Sequence, residues 1–207
     1  YFFGNPMFDG IQSELDEVHD FIIGVLPGSR DEMVGNMAKI LSIIEMLRLS
    51  QPMSFIVALA PGVSHEKLQD IVNAGPWQLE FSDNVYTFFH PSSKCSVVIS
   101  NQFYDVLHQS RLVIGLAGTA NEQVMFAKRP LISFIGTGSQ STKQRFIEQH
   151  QLIDGAETVF IDSNDPVKIS AQINTILEEK SFSWVPLPPV QHVSSKIVQQ
   201  LTSILDG

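Results

Sequence analysis

Ser29 and Arg30, in the run Leu26-Pro27-Gly28-Ser29-Arg30, and Thr119, in the run Gly118-Thr119-Ala120-Asn121-Glu122-Gln123, have the types and setting for chemistry on an anion. Each run follows an apolar stretch, 21–25 for the first and 112–117 for the second, and reads as strand, tight polar turn and helix start. The first N–H groups of a helix have no partner inside it and carry the positive end of its dipole, so such turns can hold phosphate. A serine hydroxyl and a guanidinium would add charge-assisted hydrogen bonds to a diphosphate. The same residues support a ligand-free reading. Ser29 with Glu32, and Thr119 with Glu122, have the spacing of a capping box, in which side chains satisfy those N–H groups. Asp31 and Glu32 oppose an anion by their charge. The first run also lacks the second glycine and the lysine of a phosphate-binding P-loop. A third run, Gly136-Thr137-Gly138-Ser139-Gln140, follows the apolar stretch 130–135; its glycines let backbone approach a ligand closely, or make a flexible loop.

These turns need a frame. Met33, Met37, Ile40, Leu41, Ile44 and Leu47 recur at helical spacing and predict an amphipathic helix over 31–50. Further helices are predicted over 64–73, 103–109, 120–128, 143–152, 166–179 and 194–205. Strands are predicted over 21–26, 53–59, 96–99, 112–117, 130–135 and 158–161, with two short strands, 78–81 and 85–89, about the turn Ser82-Asp83-Asn84. Pro186, Pro188 and Pro189 make 181–189 an extended connector. Alternating strands and helices imply right-handed βαβ units: an α/β, Rossmann-like domain with a mainly parallel sheet flanked by helices. In such a sheet the three turns emerge at one edge, where phosphates and ribose hydroxyls are held, so a nucleotide or nucleotide-sugar site is the leading reading.

Composition narrows the classes. The 207 residues are 43% hydrophobic with a net charge of −9, and no basic block appears. This argues against nucleic acid as a partner and against a polybasic membrane patch. No apolar run approaches the roughly 18 residues of a transmembrane helix. The single cysteine, Cys95, excludes an internal disulfide. His19, His65, His90, His108, His150 and His192 show no metal-pair spacing, and no Ser-His-Asp or paired-carboxylate pattern stands out.

With these runs in view, the chain resembles lipid-A-disaccharide synthase, and most nearly the related proteins of cyanobacteria and plastid-bearing lineages. The resemblance is carried by Gly4-Asn5-Pro6, Leu26 to Arg30, Ala117-Gly118-Thr119-Ala120 with Glu122-Gln123, Lys128-Arg129-Pro130, and Gly138-Ser139-Gln140. It implies a glycosyltransferase of the two-Rossmann, GT-B type, of which this chain is the C-terminal half, binding a UDP-sugar such as UDP-acylated glucosamine or a UDP-GlcNAc-like donor. It implies that Ser29 and Arg30, with Gly28, meet the donor diphosphate. It sets Gly118, Thr119 and Ala120 at the phosphates, and Gln140, with Gly138, near the sugar or phosphate. The family's ribose-binding glutamate, five residues after the glycine, is replaced by Gln123, so the ribose contact falls to Gln123 or to Glu122. The catalytic base and the surface for a lipid or glycan acceptor belong to the first half. No catalytic residue is therefore expected here, and no metal or cofactor either, since Arg30 and the helix N-termini would take a metal's role at the diphosphate and no Asp-x-Asp stands in these loops. Rival readings are a UDP-sugar epimerase of the same fold and a non-catalytic nucleotide-sugar-binding protein, the latter favoured by Gln123.

The expected division is 1–20 as a segment entering from a preceding domain, 21–180 as the donor-binding domain, and 181–207 as connector and final helix. The chain starts without Met, at Tyr1-Phe2-Phe3, so a preceding segment is expected. The expected location is the cytoplasm, with peripheral membrane association as the variant that a lipid acceptor implies. Ile197, Val198, Leu201 and Ile204 share one face of the final helix, which is expected to pack on the segment 1–8 or on a second copy in a homodimer.

Overall fold

The computed structural model describes residues 5–11, 21–48, 53–73, 75–153, 157–182, 184–188 and 192–205. Its strands are β1 (Ile22–Leu26), β2 (Ser54–Ala58), β3 (Gln78–Ser82), β4 (Val85–His90), β5 (Cys95–Ser100), β6 (Leu112–Gly115), β7 (Leu131–Phe134) and β8 (Thr158–Ile161). Its α-helices are α1 (Met33–Ile44), α2 (His65–Val72), α3 (Phe103–Gln109), α4 (Thr119–Phe126), α5 (Lys143–Leu152), α6 (Pro166–Glu179) and α7 (Val193–Leu205). One eight-stranded sheet has the order β3-β4-β5-β2-β1-β6-β7-β8. From β5 to β8 every neighbouring pair is parallel, whereas β4 runs antiparallel to both β3 and β5. Without the hairpin, the order β5-β2-β1-β6-β7-β8 is that of a Rossmann-like, doubly wound fold, which bears out the expected class.

Strand composition explains the burial. β1, β6 and β7 are apolar nearly throughout because helices cover both faces. Alternate residues feed two cores. Ile23 and Val25 join Met37, Ile40, Leu68 and Ile169, from α1, α2 and α6. Leu26 and Val113 join Leu107, Val124 and Phe146, from α3, α4 and α5. The predicted hairpin forms: Asp83 and Asn84 take φ of 51° and 63°, the paired left-handed residues of a two-residue turn.

The helix predicted over 31–50 is shorter than its pattern. Met33 N–H bonds Arg30 C=O, so a turn precedes α1. Beyond Ile44 the bonds tighten to i→i−3 at Met46 and Leu47, and Arg48 N–H is taken by the Asn174 side chain on α6. The positions 49 and 50 lie outside the described residues.

Two chain ends meet on this domain. A 3-10 helix (Pro6–Phe8) stacks Phe8 on Phe126 of α4 with ring centroids 3.9 Å apart. Asp9 then caps α7: its carboxylate accepts from Val193 N–H and Ser194 N–H, both at 2.7 Å. The backbone bond from Ser194 holds the Asp9 carboxyl below its ordinary pKa of 3.8. The N-terminus of α7 is thereby fastened to the segment 5–11, and Val193 is fully buried. Val198, Leu201 and Ile204 stay exposed. The aromatic positions 1–3 lie outside the described residues.

Arg129, in the Lys-Arg-Pro run, is a buried strut. It donates from Nε to Leu107 C=O at 3.0 Å and from Nη2 to His108 C=O at 3.2 Å, tying off the end of α3, and burial brings its pKa down to about 10. Trp184 of the connector donates to the same His108 carbonyl at 2.8 Å. Among the described residues no helix is long and apolar enough to cross a membrane.

Candidate functional site

In an open parallel sheet the strand after which the winding changes sides leaves a crevice at the carboxyl ends. Here that point lies between β1 and β6, and a cleft of about 490 Å³ opens there. The β1–α1 loop brings Gly28, Ser29, Arg30 and Glu32 to it. The β6–α4 loop brings Leu116, Ala117 and Gly118, the first turn of α4 brings Thr119 and Ala120, and the later loop and helix bring Gln140 and Arg145. Of the residues singled out in the sequence, Gly28, Ser29, Arg30, Gly118, Thr119, Ala120, Gln123 and Gln140 line the cleft.

Glu122 and Gly138 do not line it. The Glu122 carboxylate faces α5 and accepts from Arg145 Nη2 at 2.9 Å and from Gln149 Nε2 at 3.3 Å. Gly138, at φ 94°, lies against the Glu32 side chain. Gln123 reaches the lining, but its Nε2 donates away from it, to Met7 C=O at 3.0 Å and Tyr104 Oη at 3.3 Å.

Neither expected capping box forms. Glu32 is the N-cap of α1 and Gly118 the N-cap of α4, and no side chain caps either helix. Thr119 is already inside α4. Gly28 takes φ 100°, a left-handed conformation that turns the chain sharply out of β1. Ser29 and Arg30 follow it into solvent, and among the described residues neither side chain has a hydrogen-bond or ion-pair partner. The cleft thus presents the uncapped start of α4 and one unpaired guanidinium, both complementary to an anion, and beside them the Glu32 carboxylate at the start of α1, where Met33 N–H is already bonded to Arg30 C=O.

Asn36 on α1 ties the loops together. It is buried, donates to Pro27 C=O at 3.0 Å and Thr137 C=O at 3.2 Å, and accepts from Thr137 N–H at 2.7 Å. One helix turn on, Lys39 donates to Ile135 C=O at 2.9 Å, and burial lowers its pKa. These bonds fix the β1–α1 loop against the β7–α5 loop across the sheet edge.

The chain matches no protein-family model and no curated protein. It is similar in structure to ALG13, in an NMR solution structure, with 12% identity, a TM-score of 0.46, and coverage of 86% of this chain and 93% of that one. It is similar also to the UDP-GlcNAc 2-epimerase of Methanocaldococcus jannaschii, in complex with UDP-GlcNAc and UDP, with 16% identity and a TM-score of 0.47. That alignment covers 90% of this chain and 46% of the epimerase. A third likeness, to TarM, has 13% identity and a TM-score of 0.35, covering 92% of this chain and 38% of that one. Likenesses this distant carry no functional argument, and the fold assignment rests on the strand order.

Sequence reading missed several lining residues. Ala58 ends β2 and Leu59, Ala60 and Pro61 follow it, Asn101 and Phe103 follow β5, and Arg145 lies inside α5. The β2 and β5 ends could have been found by asking which other parallel strands finish beside β1. Arg145 had no such signal: within 143–152 it is one charged helix residue among several. Among the described residues no cluster of three or more His, Cys, Asp or Glu is placed to hold a metal ion.

Proposed function

We propose that this chain is the nucleotide-sugar-binding domain of a glycosyltransferase, holding the diphosphate of a UDP-sugar in the cleft between β1 and β6. The observation that carries the reading is the uncapped start of α4 and the unpaired Arg30, which line one cleft. Sugar transfer from such a donor leaves a nucleoside diphosphate on which negative charge grows. Fixed N–H dipoles and a guanidinium, positioned before reaction, stabilise that charge with little reorganisation. In this reading Ser29 and Arg30 meet the diphosphate, Gly118, Thr119 and Ala120 offer backbone N–H to a phosphate, and Gln140 contacts the sugar or phosphate. The donor sugar is of the UDP-acylated glucosamine or UDP-GlcNAc kind and the acceptor a lipid or glycan, as the resemblance to lipid-A-disaccharide synthase implies. The acceptor and the base that activates it belong to a partner domain.

A second reading, a nucleotide-sugar-binding protein without turnover, is favoured by Gln123: its amide is spent on Met7 and Tyr104, where a transferase would present a ribose-binding carboxylate. Calorimetry with UDP, UDP-N-acetylglucosamine, ADP and GDP tests the common core of both. UDP is expected to bind with a dissociation constant on the order of 0.1–1 mM, because one domain buries only part of the ligand. Equal affinity for all four nucleotides, or none for UDP, would remove the proposal.

A further inference from the structure

Arg145 lines the cleft, yet unlike Arg30 it is fully engaged. Its Nη2 bonds Glu122 at 2.9 Å, its Nη1 lies 3.5 Å from Glu148, and its Nε donates to Gln140 Oε1 at 3.2 Å. A guanidinium can only donate, so the Gln140 atom facing it is the carbonyl oxygen. The Gln140 amide is thereby turned one way round, and its NH2 has no partner among the described residues. One helical turn along α5, Gln149 is buried and its Nε2 donates to Gly118 C=O at 2.8 Å as well as to Glu122. Both partners are acceptors, so this amide is also fixed in one sense. The orientation leaves Gln149 Oε1 buried without a partner, a cost the protein tolerates to hold Gly118. Gly118 in turn leaves room for Gln140: a Cβ there would stand 2.6 Å from Gln140 Oε1.

We propose that Arg145 and Gln149, four residues apart on one face of α5, are positioning residues that orient Gln140 and Gly118 so that this wall of the cleft presents only hydrogen-bond donors to its ligand. The ligand group met here is a hydrogen-bond acceptor: a phosphate oxygen or a sugar oxygen of the nucleotide-sugar. The proposal rests on the donor-site reading given above, and adds to it the side chains that set the polarity of this wall. Glu122, on this account, is the counter-charge that holds Arg145 in place.

The first arm of the test needs no ligand. In 1H–15N spectra of the free protein, the Gln140 side-chain amide is expected to be displaced from the position of a solvated glutamine, and Arg145→Ala is expected to return it there. An amide signal unchanged by Arg145→Ala overturns the positioning role. The second arm is a double-mutant cycle read by UDP titration. Gln140→Ala is expected to weaken UDP about tenfold, the loss of one hydrogen bond to a charged group. The loss caused by Arg145→Ala is expected to shrink at least threefold when Gln140 is already alanine, because charge effects that do not pass through Gln140 cancel in the cycle. Equal losses in both backgrounds overturn the proposal. Should Arg145→Ala fail to fold, Gln140→Glu serves instead: it keeps the acceptor for Arg145 and removes the donor, so unchanged UDP affinity overturns the proposal. Failure of wild-type protein to bind UDP removes the donor reading and the ligand half of this proposal, while the free-protein spectra still decide the positioning half.

Discussion

The two walls of the cleft are built on opposite plans. On the β1–α1 side, Gly28 throws the chain outward, the side chains of Ser29 and Arg30 stand exposed without partners among the described residues, and Asn36 beneath them holds the loop. On the α4–α5 side, Gly118, Gln140, Arg145, Gln149 and Glu122 are joined by hydrogen bonds into one network. The first wall offers free charge that must be ordered when an anion arrives. The second offers donors already aimed. The same division appears in the helix starts. Among the helix starts, α2, α5 and α6 are capped by Ser64, Thr142 and Asp165, while α1, α3 and α4, each of which has a residue at its start in the cleft lining, have no side-chain cap. An uncapped helix start costs about 1 kcal/mol relative to a good cap, so leaving three of them without a side-chain cap at one place is a pattern that a ligand site explains.

The largest effect should come from the residue beneath the free wall. Asn36→Ala removes three hydrogen bonds and takes the side-chain partner from Pro27 C=O and from Thr137 N–H, while Thr137 C=O keeps Ser141 Oγ, for an expected loss of about 3 kcal/mol in urea unfolding. A loss under about 1 kcal/mol would mean that the β1–α1 loop is not held this way. Next is Arg30→Ala, expected to weaken UDP by about 1.5–3 kcal/mol, some 10- to 150-fold, as for a hydrogen bond to a charged group. Because Arg30 is free in the fold, its removal should leave stability within about 0.5 kcal/mol. Loss of stability without loss of UDP affinity would reverse the contrast between the walls. Gly118→Ala sharpens it from the other side. The added Cβ displaces the end of a flexible side chain, Gln140, so unfolding should change by less than about 1 kcal/mol while UDP weakens about three- to tenfold. Wild-type binding by this variant would show that Gln140 need not be where the network puts it.

The smallest effect concerns the junction of the chain ends. The Asp9 carboxyl titrates below its ordinary value of 3.8 because backbone N–H groups of α7 bind its charged form. A carboxyl whose pKa is depressed by folding contributes stability above its unfolded pKa and loses it as the pH falls through the folded value. The hold on α7 should therefore be complete at neutral pH and fade only below about pH 3.8. Amide exchange at Val193 and Ser194, followed against pH, measures it, and Asp9→Asn should abolish the acid dependence. Protection that falls already near pH 6 would place the titration elsewhere.

Particular residues show how far the chain could be read unaided. The alternating apolar runs and amphipathic helices announced the parallel sheet, because burial on both faces demands continuous apolar strands. Asp83-Asn84 announced its turn, because these residues tolerate left-handed backbone. The small polar residues after 26, 117 and 135 announced loops at one sheet edge. What they could not decide was whether Ser29 and Thr119 cap their helices or leave them open, since both outcomes use the same letters at the same spacing. The decision came from tertiary structure: α1 begins past Glu32, and Gly118 takes the cap position of α4, so neither Ser29 nor Thr119 caps its helix. Neither could the sequence reveal that Glu122 turns away to Arg145, that Asn36 spans 101 residues to reach Thr137, or that Asp9 caps a helix 184 residues on. Periodicity and turn chemistry are local, set by neighbours a few residues apart, and a sequence states them directly. Which polar side chain meets which depends on how separate strands stack and how far each helix is offset, and only the folded chain fixes those distances.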